Sequence, residues 1–131
     1  MDKIANLALS LKEDMIKDRR YFHSHPETGW FTFFTTAVLA KRLSELGYEV
    51  KLGEEVVKSD ARLGVGSKEQ CQKAIERAKS LLNPDEAKYL ECMKDGLTGL
   101  TAFIDTKRPG KFSAFRFDID SVDDRERRGC S

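Results

Sequence analysis

The sequence predicts an α/β domain in which helices pack on a mixed sheet that ends in a C-terminal β-hairpin. Two patterns carry that prediction. Apolar residues recur at three- and four-residue steps through residues 2–23 and again beyond Thr35, the period of amphipathic helices. "YEVKL" (48–52) and "GLTGLTAFIDTKRPGKFSAFRFDID" (96–120) alternate instead, the period of half-buried strands. A length of 131 residues suits one domain or part of one, able to bury roughly two-thirds of the surface its unfolded chain exposes.

The first helix is expected over 2–23, with Ile4, Leu7, Ala8, Leu11, Met15 and Phe22 on one face and charge on the other. Pro26 stops it, because the residue before a proline is pushed toward extended backbone, and Gly29 permits a tight turn. A second helix begins near Thr32 or Thr35, where a hydroxyl can cap free amides. It runs through Val38, Leu39, Leu43 and Leu46 to a stop at Gly47. Residues 48–52 read as a strand.

Residues 53–96 read as a loop followed by a helical insertion. Gly53, Gly64, Gly66 and Ser67 break any long period before a helix capped by Ser67, with Cys71, Ala74, Ala78 and Leu81 inside. Asn83 caps the next helix, Pro84 sits in its first turn where a missing amide hydrogen costs nothing, and Gly96 ends it. Leu100, Ala102 and Ile104 then alternate with Thr101 and Phe103, "KRPG" turns, and the run from Phe112 to Ile119 returns as the hairpin's second strand. The domain portion is thus 1–122. Residues 123–131, apolar only at Cys130, are expected to fray.

Composition excludes several classes. With 40% hydrophobic and 34% charged residues the chain is globular rather than disordered or membrane-spanning. Lys+Arg 23 against Asp+Glu 22 leaves none of the basic excess that nucleic acid demands. Asp2, Lys3, Lys12, Glu13 and Asp14 interrupt any leader-like apolar run, so a cytoplasmic location is expected. Cys71, Cys92 and Cys130 are too widely spaced for a Cys-x-x-Cys metal site and odd in number for a disulfide framework. Reduced thiols fit better, with Cys71 and Cys92 as small core residues and nothing making Cys130 a nucleophile.

Two constellations could carry chemistry. His23 and His25, two apart, would point about 200° away from one another on a helix and could not share a metal without irregular backbone. Both read as structural, His23 near a helix C-terminus and His25 hydrogen-bonded locally, while Glu27 beside a helix start is more often a cap than a base. The run Trp30, Phe31, Phe33 and Phe34 reads as a staple onto the core rather than a binding surface. Asp118 and Asp120 differ, because an i, i+2 pair on a strand points both carboxylates to one side at its C-terminal end. Two acceptor-only groups there can hold a divalent cation or orient a neighbouring ligand, although surface charge is the ordinary reading of Asp-x-Asp. Asp123 and Asp124 extend the acidic cluster, and Arg125, Arg127 and Arg128 could neutralise it.

Taken together, "RRYFHSHPETGW", "LAKRLSELGYEV", "GLTGLTAFIDTKRPG" and "AFRFDIDSVD" resemble the start of the aminoacylase and carboxypeptidase class of dinuclear-metal amidohydrolases. "GEEVVKSDARLG" and the helical insertion after it resemble a subfamily that splits p-aminobenzoyl-glutamate into p-aminobenzoate and glutamate. The resemblance implies the N-terminal portion of a zinc-peptidase-like catalytic domain, with zinc or manganese in the full-length family and a small acyl-amino-acid substrate. It also implies that Asp120 matches a carboxylate orienting a metal-binding histidine and that Asp118 takes the place of the relatives' metal histidine. No residue of "FHSHPETGW" matches a family metal ligand, and Thr32 stands where the family usually has glutamate. The family's remaining ligand and base motifs have no counterpart here, so this chain by itself is expected to bind no metal and to be inactive. The alternative is a non-catalytic α/β module for binding or assembly. Missing strands would leave edges and apolar faces uncovered, so self-association or a partner subunit is expected.

Overall fold

The computed structural model describes residues 2–122. The expectations for Asp123, Asp124, Arg125, Arg127, Arg128, Cys130 and a fraying tail lie outside them.

The N-terminal helix is interrupted. α1 (Lys3–Ser10) and α2 (Lys12–His23) meet at Leu11, where Ser10 Oγ donates to the Leu7 carbonyl at 2.7 Å and competes with the helical ladder. Asp2 caps α1 by accepting from Ile4 N at 3.4 Å. The apolar face read from the sequence does exist, but Ile4 and Met15 remain 75% and 63% exposed.

α3 (Phe33–Glu45) is the centre of the molecule. Phe33, Phe34, Ala37 and Val38 are buried, and with Ala78, Leu90 and Met93 they form the core, joined at its margin by Tyr21, Phe22 and Phe31. The chain then turns at Gly47, whose φ of +88° costs glycine nothing, and enters β1 (Glu49–Leu52).

β1 pairs antiparallel with β2 (Leu100–Phe103), Val50 opposite Ala102 and Leu52 opposite Leu100. These four face the interior, while Glu49, Lys51, Thr101 and Phe103 face solvent. The Gly99 amide donates to Thr36 Oγ1 at 3.1 Å, fastening the start of β2 to α3.

The insertion follows its caps. α4 (Lys68–Leu81) opens on a capping box in which Ser67 Oγ accepts from Gln70 N and Gln70 Oε1 accepts from Ser67 N. α5 (Pro84–Ala87) opens on another, between Asn83 and Glu86, then tightens into a 3-10 stretch over Lys88–Gly96. Leu81 and Cys92, expected inside, are exposed; Ile75, Leu82 and Met93 pack on the core instead.

Among the described residues the sheet is two-stranded, so the expected mixed sheet and C-terminal hairpin are not formed. The run from Phe112 to Ile119 has no ladder partner there, and the reason is one of phase. Phe115, Phe117 and Ile119 share a parity that Phe112 breaks, so no single face gathers the apolar residues. β2, whose alternation is regular, pairs with β1 instead. No helix of the described residues is long and apolar enough to cross a membrane.

Candidate functional site

The loop after α2 is built by local bonds. Ser24 Oγ donates to the Tyr21 carbonyl at 2.8 Å, closing the last turn. His25 Nδ1 faces the same carbonyl at 2.8 Å; a carbonyl only accepts, so this nitrogen carries the proton. The imidazole stacks on Phe34 with centroids 4.7 Å apart, which locks it against the core. His25 is structural, as its sequence context suggests.

Glu27 is the cap of α3. Its Oε1 accepts from Phe34 N at 2.9 Å and its Oε2 from Thr35 N at 2.8 Å, although seven or eight residues separate the partners. Two of the helix's free amides are thereby satisfied by a carboxylate at the positive end of the dipole. The expected threonine cap is absent: Thr32 occupies the cap position without a side-chain bond. Glu27 is buried, and burial pushes its pKa up against the Thr35 and Phe34 hydrogen bonds and the charge of Arg77, which pull it down.

Trp30 staples the loop to distant segments. Its Nε1 donates to the Leu63 carbonyl at 2.7 Å, the Arg62 guanidinium lies 5.4 Å from its ring centroid, and its carbonyl accepts from Thr98 Oγ1 at 3.2 Å. Phe33 and Phe34 are core, in agreement with a packing role for this aromatic run.

Against this corner lies the end of the described chain. Ser121 donates twice to the Glu27 carbonyl, through its amide at 2.7 Å and through Oγ at 3.0 Å. The contact closes an open cleft of about 950 Å³ whose polar walls are Arg19, His23, His25, Glu27, Asp120 and Ser121. Phe22, Pro26, Ile119 and Val122 supply the apolar part.

The two sequence-predicted carboxylates are not brought together. Asp120 is exposed and lines the cleft. Asp118 does not; it is gripped by Arg116, whose Nη2 and Nη1 stand 2.6 and 3.3 Å from its two oxygens. They sit on an extended segment rather than a strand, since no described neighbour supplies a ladder. The donors do not fit a dinuclear centre. Glu27 is occupied by amides, His25 Nδ1 by a carbonyl and Asp118 by a guanidinium, and among the described residues no group of three or more His, Cys, Asp and Glu could hold a metal ion. Ser121 and Arg19 escaped the sequence reading. Nothing local announces a bond from Ser121 across 94 positions, and Arg19 reads as one charge among many on an amphipathic helix.

No family profile matches the chain. Its fold does: a crystal structure of an aminobenzoyl-glutamate utilization protein from Klebsiella pneumoniae superposes with a TM-score of 0.85 at 36% identity, over 93% of this chain and 30% of that one. An indole-3-acetyl-aspartic acid hydrolase from Enterobacter agglomerans is 36% identical over 113 residues, 86% of this chain and 26% of the relative. The chain therefore stands among relatives named as hydrolases of acyl-amino-acid conjugates. More particularly, it is similar to the N-terminal portion of a p-aminobenzoyl-glutamate hydrolase from Escherichia coli (strain K12), at 35% identity over 131 residues. That match covers all of this chain and 30% of the relative, so the chain spans about a third of the length of the curated proteins it matches.

Proposed function

We propose that this chain is the N-terminal portion of the catalytic domain of a metal-dependent amidohydrolase that cleaves p-aminobenzoyl-glutamate or a similar acyl-amino-acid conjugate. The similarity to the Escherichia coli hydrolase over every residue of the chain carries the reading, because it includes both the loop that builds the cleft and the segment that bears Asp120. Amide hydrolysis adds water across the C–N bond, so one group must take a proton from the water and another must supply one to the leaving amine. Asp120, an acceptor at the cleft mouth, orients the group that does this; Asp118 stands where relatives place a metal-binding residue. Zinc or manganese belongs to the full-length form, because the donors described above cannot hold it. Arg19 and the apolar walls suit a substrate with a carboxylate at one end and an aromatic ring at the other.

The test uses the product of the complete gene, assayed for release of p-aminobenzoate with zinc or manganese supplied. Asp120→Ala should lower kcat/KM by roughly 10- to 100-fold, the usual cost of losing a group that orients a metal ligand. Metal analysis should find about two ions per subunit. A folded protein that hydrolyses neither p-aminobenzoyl-glutamate nor indole-3-acetyl-aspartate, and binds no metal, would instead be the non-catalytic module.

A further inference from the structure

We infer that Glu27 is a positioning residue for Asp120, acting through Ser121; the inference rests on the reading of Asp120 given above. Glu27 is gripped at both ends. Its carboxylate holds the first amides of α3 at 2.9 and 2.8 Å, and its own carbonyl receives the Ser121 amide at 2.7 Å and the Ser121 hydroxyl at 3.0 Å. A carbonyl oxygen has two lone pairs, so it can take both donors at once and fix the orientation of Ser121 as well as its position.

The anchor behind this link is rigid. α3 buries Phe33, Phe34, Ala37 and Val38, none more than 1% exposed. The segment it holds is not. Between Ile104 and Asp120 there is no ladder among the described residues, and the hydrogen bonds within 105–118 join groups two positions apart. The Ser121 pair therefore ties the residue next to Asp120 to the core. A Glu27 carboxylate free to act as a base would need an open lone pair and solvent; this one is buried with both oxygens engaged.

The experiment has two readouts on the complete gene product. The first is amide exchange at Ser121, followed by NMR. It should be protected in the wild type at least about tenfold over the free rate, and Glu27→Ala should release it together with Phe34 and Thr35. Ser121 exchanging at the free rate while the β1 and β2 amides stay protected overturns the inference. The second readout is kinetic. Ser121→Ala should reduce kcat about tenfold or more with little change in KM, and Ser121→Thr, which restores the hydroxyl, should recover most of it. Asp120→Asn separates the two claims. If it is inactive while Ser121→Ala retains full kcat, the positioning role is wrong and the hydrolase reading stands. If Asp120→Asn is fully active, the reading of Asp120 falls and the positioning role falls with it.

Discussion

Burial and hydrogen bonding pull the Glu27 carboxyl in opposite directions, and burial wins, so its folded pKa lies above the ordinary 4.5. The sign of the consequence follows from proton linkage. Between the ordinary and the raised value the folded state holds this proton more tightly than the unfolded chain, so the contribution of Glu27 is fullest below 4.5 and is lost as the pH rises through the folded value. Glu91 and Asp105, lowered by their lysine neighbours, have the opposite dependence at the acid end. They are common to any Glu27 variant and cancel in a difference. In urea titrations at about pH 4 and about pH 7, the wild-type advantage over Glu27→Gln should therefore shrink toward neutrality. An advantage that grows with pH would mean that the two amide bonds, not burial, govern this group.

At the scale of elements, the tightest geometric demand falls between β1 and the 3-10 stretch of Lys88–Gly96. Gly53 follows β1 with φ +61°, and a Cβ built there would lie 2.0 Å from the Cys92 carbonyl oxygen. Backbone cannot yield as a flexible side chain can, so Gly53→Ala combines a clash with left-handed strain and should cost about 2 kcal/mol or more in chemical denaturation. Unchanged stability would show that the two segments do not approach. Elements specified within three or four residues are the ones legible in the sequence: the Ser67 and Asn83 caps, the Gly47 stop and the helical period of α3. Glu27 was legible by type, a carboxylate ahead of a helix, but not by partner. β2 read correctly as a strand and wrongly as half of a hairpin, because its true partner lies some fifty positions back and is chosen by burial on α3. The cleft was hardest to foresee. Asp120 could be read as a carboxylate at the end of an alternating run, whereas the contact placing it beside the His25 loop depends on Ser121 finding one carbonyl across the chain.

For the whole molecule, the balance of covered and uncovered apolar surface predicts its behaviour in solution. α3 is saturated, with almost every residue of its first half buried. In contrast, the stripe Ile4, Leu7, Leu11 and Met15 along α1 and α2 faces outward, and Phe112, Phe115 and Phe117 are each more than three-quarters exposed on a segment without a described ladder. β2 adds an edge with no described neighbour on its far side. Exposed aromatic residues beside an unpaired edge are the usual starting point for strand addition between copies. Phe115 and Phe117, stacked with centroids 6.4 Å apart, offer the larger apolar target. The 131-residue chain should therefore gain mass with concentration in light scattering, and replacing both phenylalanines with serine should weaken that association more than Leu7→Ser with Met15→Ser. Equal effects would place the contact on both surfaces. A constant monomer mass across the series would show that these side chains find cover within their own chain.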